Sequence, residues 1–128
     1  MLEVGSIVFC EAIRQEIGGK HILLGVTAPE VNVATIPAVI PLAVWLAIKP
    51  KDTAQFEIRI RILDTQKKPI VEGRLIGAFN NDSQVALAFG PFPIEVNEPG
   101  DFDFEWSVNE DNWTKIASYK VNFVPTTS

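Results

Sequence analysis

The sequence predicts an all-β protein, a β-sandwich of seven to nine strands with little or no helix. Three segments alternate apolar and polar residues with a period of two, which is typical of strands with one buried and one solvated face. Turn-forming runs such as "DTQKKP", "NEPGD" and "NEDN" separate the strands at the spacing of a sandwich or barrel. No segment combines helix caps with an apolar stripe of helical period, so helix should be scarce.

Length and composition predict one globular domain over residues 1–128, since 47% of the residues are hydrophobic and 21% are charged. The net charge of −5, without a basic stripe, argues against nucleic acid as a partner. No apolar run reaches the roughly 20 residues that span a bilayer, and the start lacks the basic residues of a signal peptide. We therefore expect a soluble, cytoplasmic protein that does not bind a membrane.

The first element is a β-hairpin around Gly18-Gly19, because paired glycines accept the positive φ of a two-residue turn. This turn pairs Glu16 with His21 and Cys10 with Thr27. The side chains that this register directs to the core are Phe9, Ile13, Ile17, Ile22, Leu24 and Val26. The side chains that it directs outward are Cys10, Ala12, Arg14, Glu16 and His21.

The only cysteine and the only histidine of the chain lie in this hairpin. In the predicted register His21 is six residues along the strand from Cys10, about 20 Å at the rise of a strand. A nucleophilic cysteine needs its base in contact, so we expect no thiol enzyme. A single cysteine also excludes an internal disulfide and a cysteine-based zinc site. Glu11 falls on the core face, where it is either solvated at a strand end or paired with an arginine such as Arg14.

The middle of the chain supplies the next strands. Pro29, Pro37 and Pro41 predict an irregular crossing between sheets before the buried strand "LAVWLAI". The run "FGPFPIEV" predicts an edge strand or a strand that enters from a bend, since its two prolines donate no ladder hydrogen bond. Between these two runs, the strand "QFEIRIRIL" directs to one face Phe56, Ile58, Ile60 and Ile62.

Two alternating strands close the chain. In "DFDFEWSV" the predicted inward residues are Phe102, Phe104, Trp106 and Val108, and the predicted solvated residues are Asp101, Asp103, Glu105 and Ser107. In "ASYKVNF" the residues predicted to share one face are Ala117, Tyr119, Val121 and Phe123.

Charge is distributed unevenly. Seven of the eleven basic residues lie between Lys49 and Arg74, whereas residues 75–114 contain eight acidic residues and no base. We expect the two regions to be neighbours whose fields partly cancel. An acidic surface that binds a cation or a small molecule is the alternative, although acidic side chains two residues apart on one strand lack the spacing of a calcium loop.

The tryptophans indicate one candidate interaction surface. Trp45 and Trp106 lie in the apolar phase of their strands and should be core residues, whereas Trp113 follows the turn "NEDN" and should be partly exposed. An exposed tryptophan is a common centre of protein interfaces. We predict an interaction surface that comprises Arg14, Glu16 and Trp113, and we assign no catalytic, cofactor-binding or metal-binding residue.

Four segments resemble, in the same order, an uncharacterised bacterial family catalogued as a domain of unknown function. They are "FCEAIRQEIGGKHILLG", "PLAVWL", "FEIRIRILDTQKKPI" and "FPIEVNEPGDFDFEWSV". The residues that carry the likeness are Cys10, Glu11, Arg14, Gly19, Lys20, Gly25, Pro99, Gly100, Phe102 and Phe104. The resemblance implies an immunoglobulin-like antiparallel β-sandwich, and it supplies no activity, cofactor or catalytic residue.

The sequence therefore favours a non-catalytic binding or scaffold module without a cofactor, which acts on an unknown protein partner or by self-association. Two alternatives remain open at this point. One is a protein that binds ions or small molecules on its acidic face, and the other is a structural component of a phage-like assembly.

Overall fold

The computed structural model describes residues 2–16, 21–27, 29–50, 54–79, 85–109 and 112–125. This part of the chain is all-β, as predicted, with no helix, and therefore with no helix long and apolar enough to cross a membrane. Its ten strands are β1 (Leu2–Cys10), β2 (Ala12–Gln15), β3 (His21–Leu24), β4 (Glu30–Val33), β5 (Ala38–Pro50), β6 (Ala54–Leu63), β7 (Pro69–Phe79), β8 (Val85–Val96), β9 (Gly100–Val108) and β10 (Thr114–Phe123).

The strands form two large sheets and one hairpin. The first sheet has the order β1-β5-β8, the second has the order β4-β10-β9-β6-β7, and β2 pairs with β3 alone. All these pairs are antiparallel except β4 with β10. The core cluster joins buried side chains of the first sheet, such as Val44 and Leu46, to those of the second, such as Ile60 and Phe104. The two large sheets therefore pack face to face as a sandwich.

The number of strands exceeds the predicted seven to nine for two local reasons. Glu11 lies in a bend, so the first apolar run becomes two strands: β1 pairs with β5, and β2 pairs with β3. After Pro29, the four residues of β4 add a short parallel strand to β10. A four-residue strand between turn residues has too few positions to show a clear alternation of polarity.

The β2–β3 hairpin has a different register from the predicted one. Gln15 pairs with His21, whereas the predicted partner of His21 was Glu16. A shift of one residue exchanges the two faces of a strand relative to its partner. Ile22 and Leu24, which were predicted to be core residues, are each 41% exposed, and Val26 is 60% exposed. Cys10, which was predicted to point outward, is 1% exposed. Residues 17–20, which include Ile17 and the Gly18-Gly19 turn, lie outside the described residues.

Most of the other predicted core positions are confirmed. The described apolar faces of β6, β9 and β10 are buried, including Trp106, except that Val108 and Ala117 are partly buried. Phe123 is a further exception, since it ends β10 and is 46% exposed. Trp45 is only partly buried, because it lies on the face of β5 that turns away from the core cluster. The side chain of Phe56 lies outside the described part of the chain.

The proline-rich segments are more regular than predicted. Pro41 lies within β5, the central strand of the first sheet, where it is opposite Pro93 of β8. It therefore does not belong to an irregular crossing. The prediction of an edge strand for "FGPFPIEV" is confirmed, because β8 forms one edge of this sheet.

Candidate functional site

The outer face of the second sheet carries a charged groove between β6 and β7. The buried isoleucines of β6 alternate with Glu57, Arg59 and Arg61, which therefore point away from the core. The pairing with β7 places Arg74 opposite Arg59, and Glu72 opposite Arg61. This arrangement follows from the register of two long strands, and it concentrates charged side chains on one face.

Trp113 closes one side of the groove. It immediately precedes β10, and its half-buried ring lies over the guanidinium groups of β6. The distance from the guanidinium carbon to the ring centroid is 4.2 Å for Arg61 and 5.4 Å for Arg59. Both distances are within the range of a cation–π contact.

Asn109 ties the turn after β9 to β6. Its backbone N–H donates to the carbonyl of Glu57 at 2.8 Å, and its side-chain oxygen accepts from the N–H of Glu57 at 2.9 Å. Asn109 has a φ of +53°, a conformation that asparagine tolerates better than most residues. This connection anchors the chain four residues before Trp113, next to the arginines of β6.

The groove has a volume of about 450 Å³, in the range of small-ligand sites. Its lining residues are Glu57, Arg59, Ile60, Glu72, Gly73, Arg74 and Trp113.

Two of the three arginines on this face have carboxylate partners. Arg61 binds Glu105 of β9 at 2.7 Å, and Arg74 binds Glu57 at 3.2 Å. Arg59 forms no ion pair with any described residue. It is half-buried and lies directly across from a second arginine. Like charges at opposed positions of neighbouring strands destabilise a sheet, so this pair is unfavourable for the isolated fold.

A second charged cluster surrounds Asp103 of β9. The sequence predicts a solvated carboxylate here, and that prediction is wrong, because Asp103 is only 5% exposed. Lys67 donates to its carboxylate at 2.7 Å and the hydroxyl of Ser118 donates at 2.9 Å, while the ammonium of Lys115 lies 3.6 Å away. Ser107, also predicted to be solvated, is 2% exposed.

The pKa of Asp103 reflects two opposing effects. Burial alone would raise it, but the hydrogen bonds from Lys67 and Ser118 and the positive charges of Lys67 and Lys115 outweigh burial. The pKa of Asp103 is therefore lower than that of an ordinary aspartate. The hydrogen bond to Asp103 in turn raises the pKa of Lys67.

The turn between β6 and β7 supplies the lysine. Asp64 accepts hydrogen bonds from the backbone of Gln66 and Lys68, and Lys67 adopts a φ of +62° between them. Together with the Arg61–Glu105 pair, the lysine contact with Asp103 confirms that the basic and acidic segments are neighbours whose charges cancel in part. No group of three or more His, Cys, Asp or Glu side chains in the described ranges could hold a metal ion.

Cys10 ends β1 of the first sheet, and His21 begins β3 of the hairpin. Cys10 is buried beside Ala43, and burial raises the pKa of its thiol. Nδ1 of His21 accepts a hydrogen bond from the indole of Trp45 at 3.2 Å. Cys10 and His21 thus contact residues two positions apart on β5, and the separation of about 20 Å along the hairpin stays a prediction. No hydrogen bond among the described residues joins the thiol to the imidazole.

The structure does not bring the predicted interaction residues together. Arg14 and Glu16 are exposed on and beside β2, whereas Trp113 contacts the arginines of β6 in the second sheet. Glu11 is exposed in its bend, which selects the solvated alternative. Sequence reasoning missed the groove residues of β6 and β7. Their only sequence signal is the polar phase of "EIRIRI" and "EGRL", which reveals a shared site only when the strand pairing is known.

A family model described as a family of unknown function, DUF6941, matches residues 5–121. The chain belongs to the DUF6941 family. This result confirms the predicted membership of a family without an assigned activity. No curated protein matches the chain.

Proposed function

We propose that this chain is a non-catalytic binding module of the bacterial cytoplasm, and that its ligand contacts the groove between β6 and β7. The observation that carries the proposal is the ring of Trp113 against Arg61 and Arg59, beside a cavity of about 450 Å³. Tryptophan and arginine are the residue types most enriched at the energetic centres of interfaces. The immunoglobulin-like arrangement of the sandwich belongs to the same proposal, and the two face-to-face sheets support it.

We propose that the chain is not an enzyme because the environments of its two most reactive side chains, Cys10 and His21, do not favour catalysis. The thiol of Cys10 is buried with a raised pKa, which disfavours the nucleophilic thiolate. The imidazole of His21 is hydrogen-bonded to Trp45 on the other sheet. In the groove itself, Glu57 is held by Arg74. A broad hydrolase screen should give no turnover, and an activity that is lost in Cys10→Ala or Glu57→Gln would overturn this part of the proposal.

The location of the site can be tested by capture from a native cell lysate. The wild-type chain, Trp113→Ala, Arg14→Ala and Lys49→Ala are immobilised at equal density, and the retained proteins are compared. Trp113→Ala should lose a partner that the other three retain, since Arg14 and Lys49 are exposed on other elements. If Arg14→Ala loses the partner and Trp113→Ala retains it, the binding site lies on the β2–β3 hairpin. Retention by all four chains would refute a site at Trp113.

Self-association is a second proposal, favoured by the edge of the first sheet. Val39 is 67% exposed, and it lines an apolar depression of about 320 Å³ with four residues of β5 and β8, namely Pro41, Pro91, Phe92 and Pro93. Prolines disfavour edge-to-edge strand pairing because they offer no N–H to a new strand, so the proposed contact buries this apolar depression and does not extend the sheet. Light scattering at rising concentration tests this proposal, since a strict monomer would exclude both self-association and a role as an assembly subunit.

A function on the acidic face is less well supported. The two carboxylates of β9 that are partly or fully buried, Asp103 and Glu105, are already engaged by Lys67 and Arg61. A bound cation would have to displace these partners. A calcium titration followed by tryptophan fluorescence should therefore show no saturable change, and a change at millimolar calcium would restore this alternative.

A further inference from the structure

Arg59 is the cation of the groove that has no described carboxylate within ion-pair distance. The other two arginines on this face bind Glu105 and Glu57. Arg59 is half-buried, and its neighbours include the ring of Trp113, Arg74 on β7 and, on β9, Ser107. A partly desolvated guanidinium beside a like charge is unfavourable unless an acceptor reaches it. An anionic ligand would remove this unfavourable state.

We infer that the groove binds a single carboxylate group, with Arg59 as its main donor. This inference rests on the proposed function and specifies the ligand chemistry of the same site. The planar guanidinium has a fork of N–H donors that matches both oxygens of a carboxylate. The guanidinium carbon of Arg59 lies 5.4 Å from the centroid of the Trp113 ring, and this cation–π contact favours a position of the fork beside the groove. The carboxylate belongs either to an acidic side chain of a protein partner or to a small organic acid.

The charge balance of the face favours a carboxylate over a phosphate. The charged side chains that line the groove are Arg59, Arg74, Glu57 and Glu72, and Arg74 already binds Glu57. A carboxylate brings one negative charge, which the guanidinium of Arg59 can meet. The second charge of a phosphate would face Glu57 and Glu72, and the described groove lining has no further cation to balance it.

The experiment is an NMR titration of the full chain, followed through the indole N–H of Trp113 and the side-chain Nε–H of Arg59. The carboxylate probes are an N-acetylated, C-amidated Gly-Glu-Gly peptide and free N-acetylglycine. Their neutral counterparts are the Gly-Gln-Gly peptide and N-acetylglycinamide, and inorganic phosphate is the competing anion. All titrations are made at one ionic strength, up to concentrations on the order of tens of millimolar, where weak fragments saturate.

A carboxylate probe should shift both signals saturably, and its neutral counterpart should bind at least about tenfold more weakly. Arg59→Gln should bind the carboxylate probe more weakly by a similar factor, whereas Lys49→Ala should bind it with the affinity of the wild type. The carboxylate probe that binds more tightly identifies the kind of ligand, a peptide side chain or a small organic acid. The inference is overturned if phosphate binds as tightly as either carboxylate, if the neutral probes bind equally, or if neither carboxylate saturates.

Failure of this inference is distinguishable from failure of the proposed function. If a lysate partner is lost in Trp113→Ala but retained in Arg59→Gln, the groove is a binding site and its ligand is not a carboxylate held by Arg59. If the lysate partner is retained in both variants, the site itself is wrong.

Discussion

Asp103 offers the sharpest test of how this sheet is stabilised. Replacing it with asparagine preserves the size of the side chain and removes its charge. The carboxylate is almost fully buried and accepts hydrogen bonds from Lys67 and Ser118. Asp101, two residues earlier on the same strand, is exposed. Asp101→Asn is therefore a matched control for the loss of one negative charge from the same face of β9.

The size of the effect follows from these contacts. A hydrogen bond to a charged group contributes about 1.5–3 kcal/mol. Lys67 and Lys115 are 58% and 55% exposed, so solvent screens their attraction to Asp103. Asparagine retains an acceptor for Ser118. We expect Asp103→Asn to lower the free energy of unfolding by about 1–3 kcal/mol at pH 7, and Tm by about 4 °C per kcal/mol.

The difference in the free energy of unfolding between the wild type and Asp103→Asn should depend on pH in a defined direction. The pKa of Asp103 is lower in the folded chain than in the unfolded chain, so ionisation of this carboxylate stabilises the fold. That contribution is complete above the unfolded pKa of about 3.9 and disappears as the pH falls through the lower folded pKa. The stability of the wild type should therefore approach that of Asp103→Asn only at pH values below about 4.

Urea unfolding of both variants and the wild type, at constant ionic strength from pH 7 downward, measures this difference. Asp101→Asn should stay within about 0.5 kcal/mol of the wild type at pH 7. The reasoning fails if Asp103→Asn is as stable as the wild type at neutral pH, if its deficit persists unchanged at the lowest pH, or if the Asp101 control shows the same deficit.

Three further outcomes are expected. Phe104→Ala should lower the free energy of unfolding by about 3–5 kcal/mol, because Phe104 is 1% exposed. Phe123→Ala should lower it by less than about 1 kcal/mol, and equal losses in urea unfolding would contradict the burial pattern. Cys10 should react with a thiol reagent far more slowly in the native chain than in denaturant, and equal rates would show that it is accessible. Arg59→Gln should lower the free energy of unfolding by less than about 0.5 kcal/mol or increase it, because the substitution removes the positive charge opposite Arg74. A loss above about 2 kcal/mol in urea unfolding would show that Arg59 is needed for the stability of the fold.

The strands were the most predictable feature because alternation is a local property. Ile58, Ile60 and Ile62 repeat every second residue, and each is buried as the pattern requires. The hairpin shows the limit of this reasoning. Its strands exist, but the pairing of Gln15 with His21 exposes Ile22, which a two-glycine turn would have buried. The observed pairing leaves five residues between Gln15 and His21, an odd number that a two-residue turn centred on Gly18-Gly19 does not give. Loop length sets the register of a hairpin, so the paired glycines alone did not determine it.

The candidate site was the least predictable feature. Arg59 and Arg74 are fifteen residues apart in the chain, and no local pattern states that they are opposite each other. The same applies to Trp113, whose partial exposure was expected but whose contact with two arginines was not. The buried Asp103 was wrongly predicted as solvated, because alternation identifies the outward face of a strand but not what covers it.

The sequence alone determined an all-β domain, most of its core and its family, because polar alternation, turn residues and family motifs are properties of the linear chain. The tertiary structure decided which strands pair, which carboxylate is buried beneath Lys67, and which arginine of the groove lacks an ion pair with the described residues. These features depend on pairs of side chains that are distant in the chain, and only the packing of the sheets brings such pairs together.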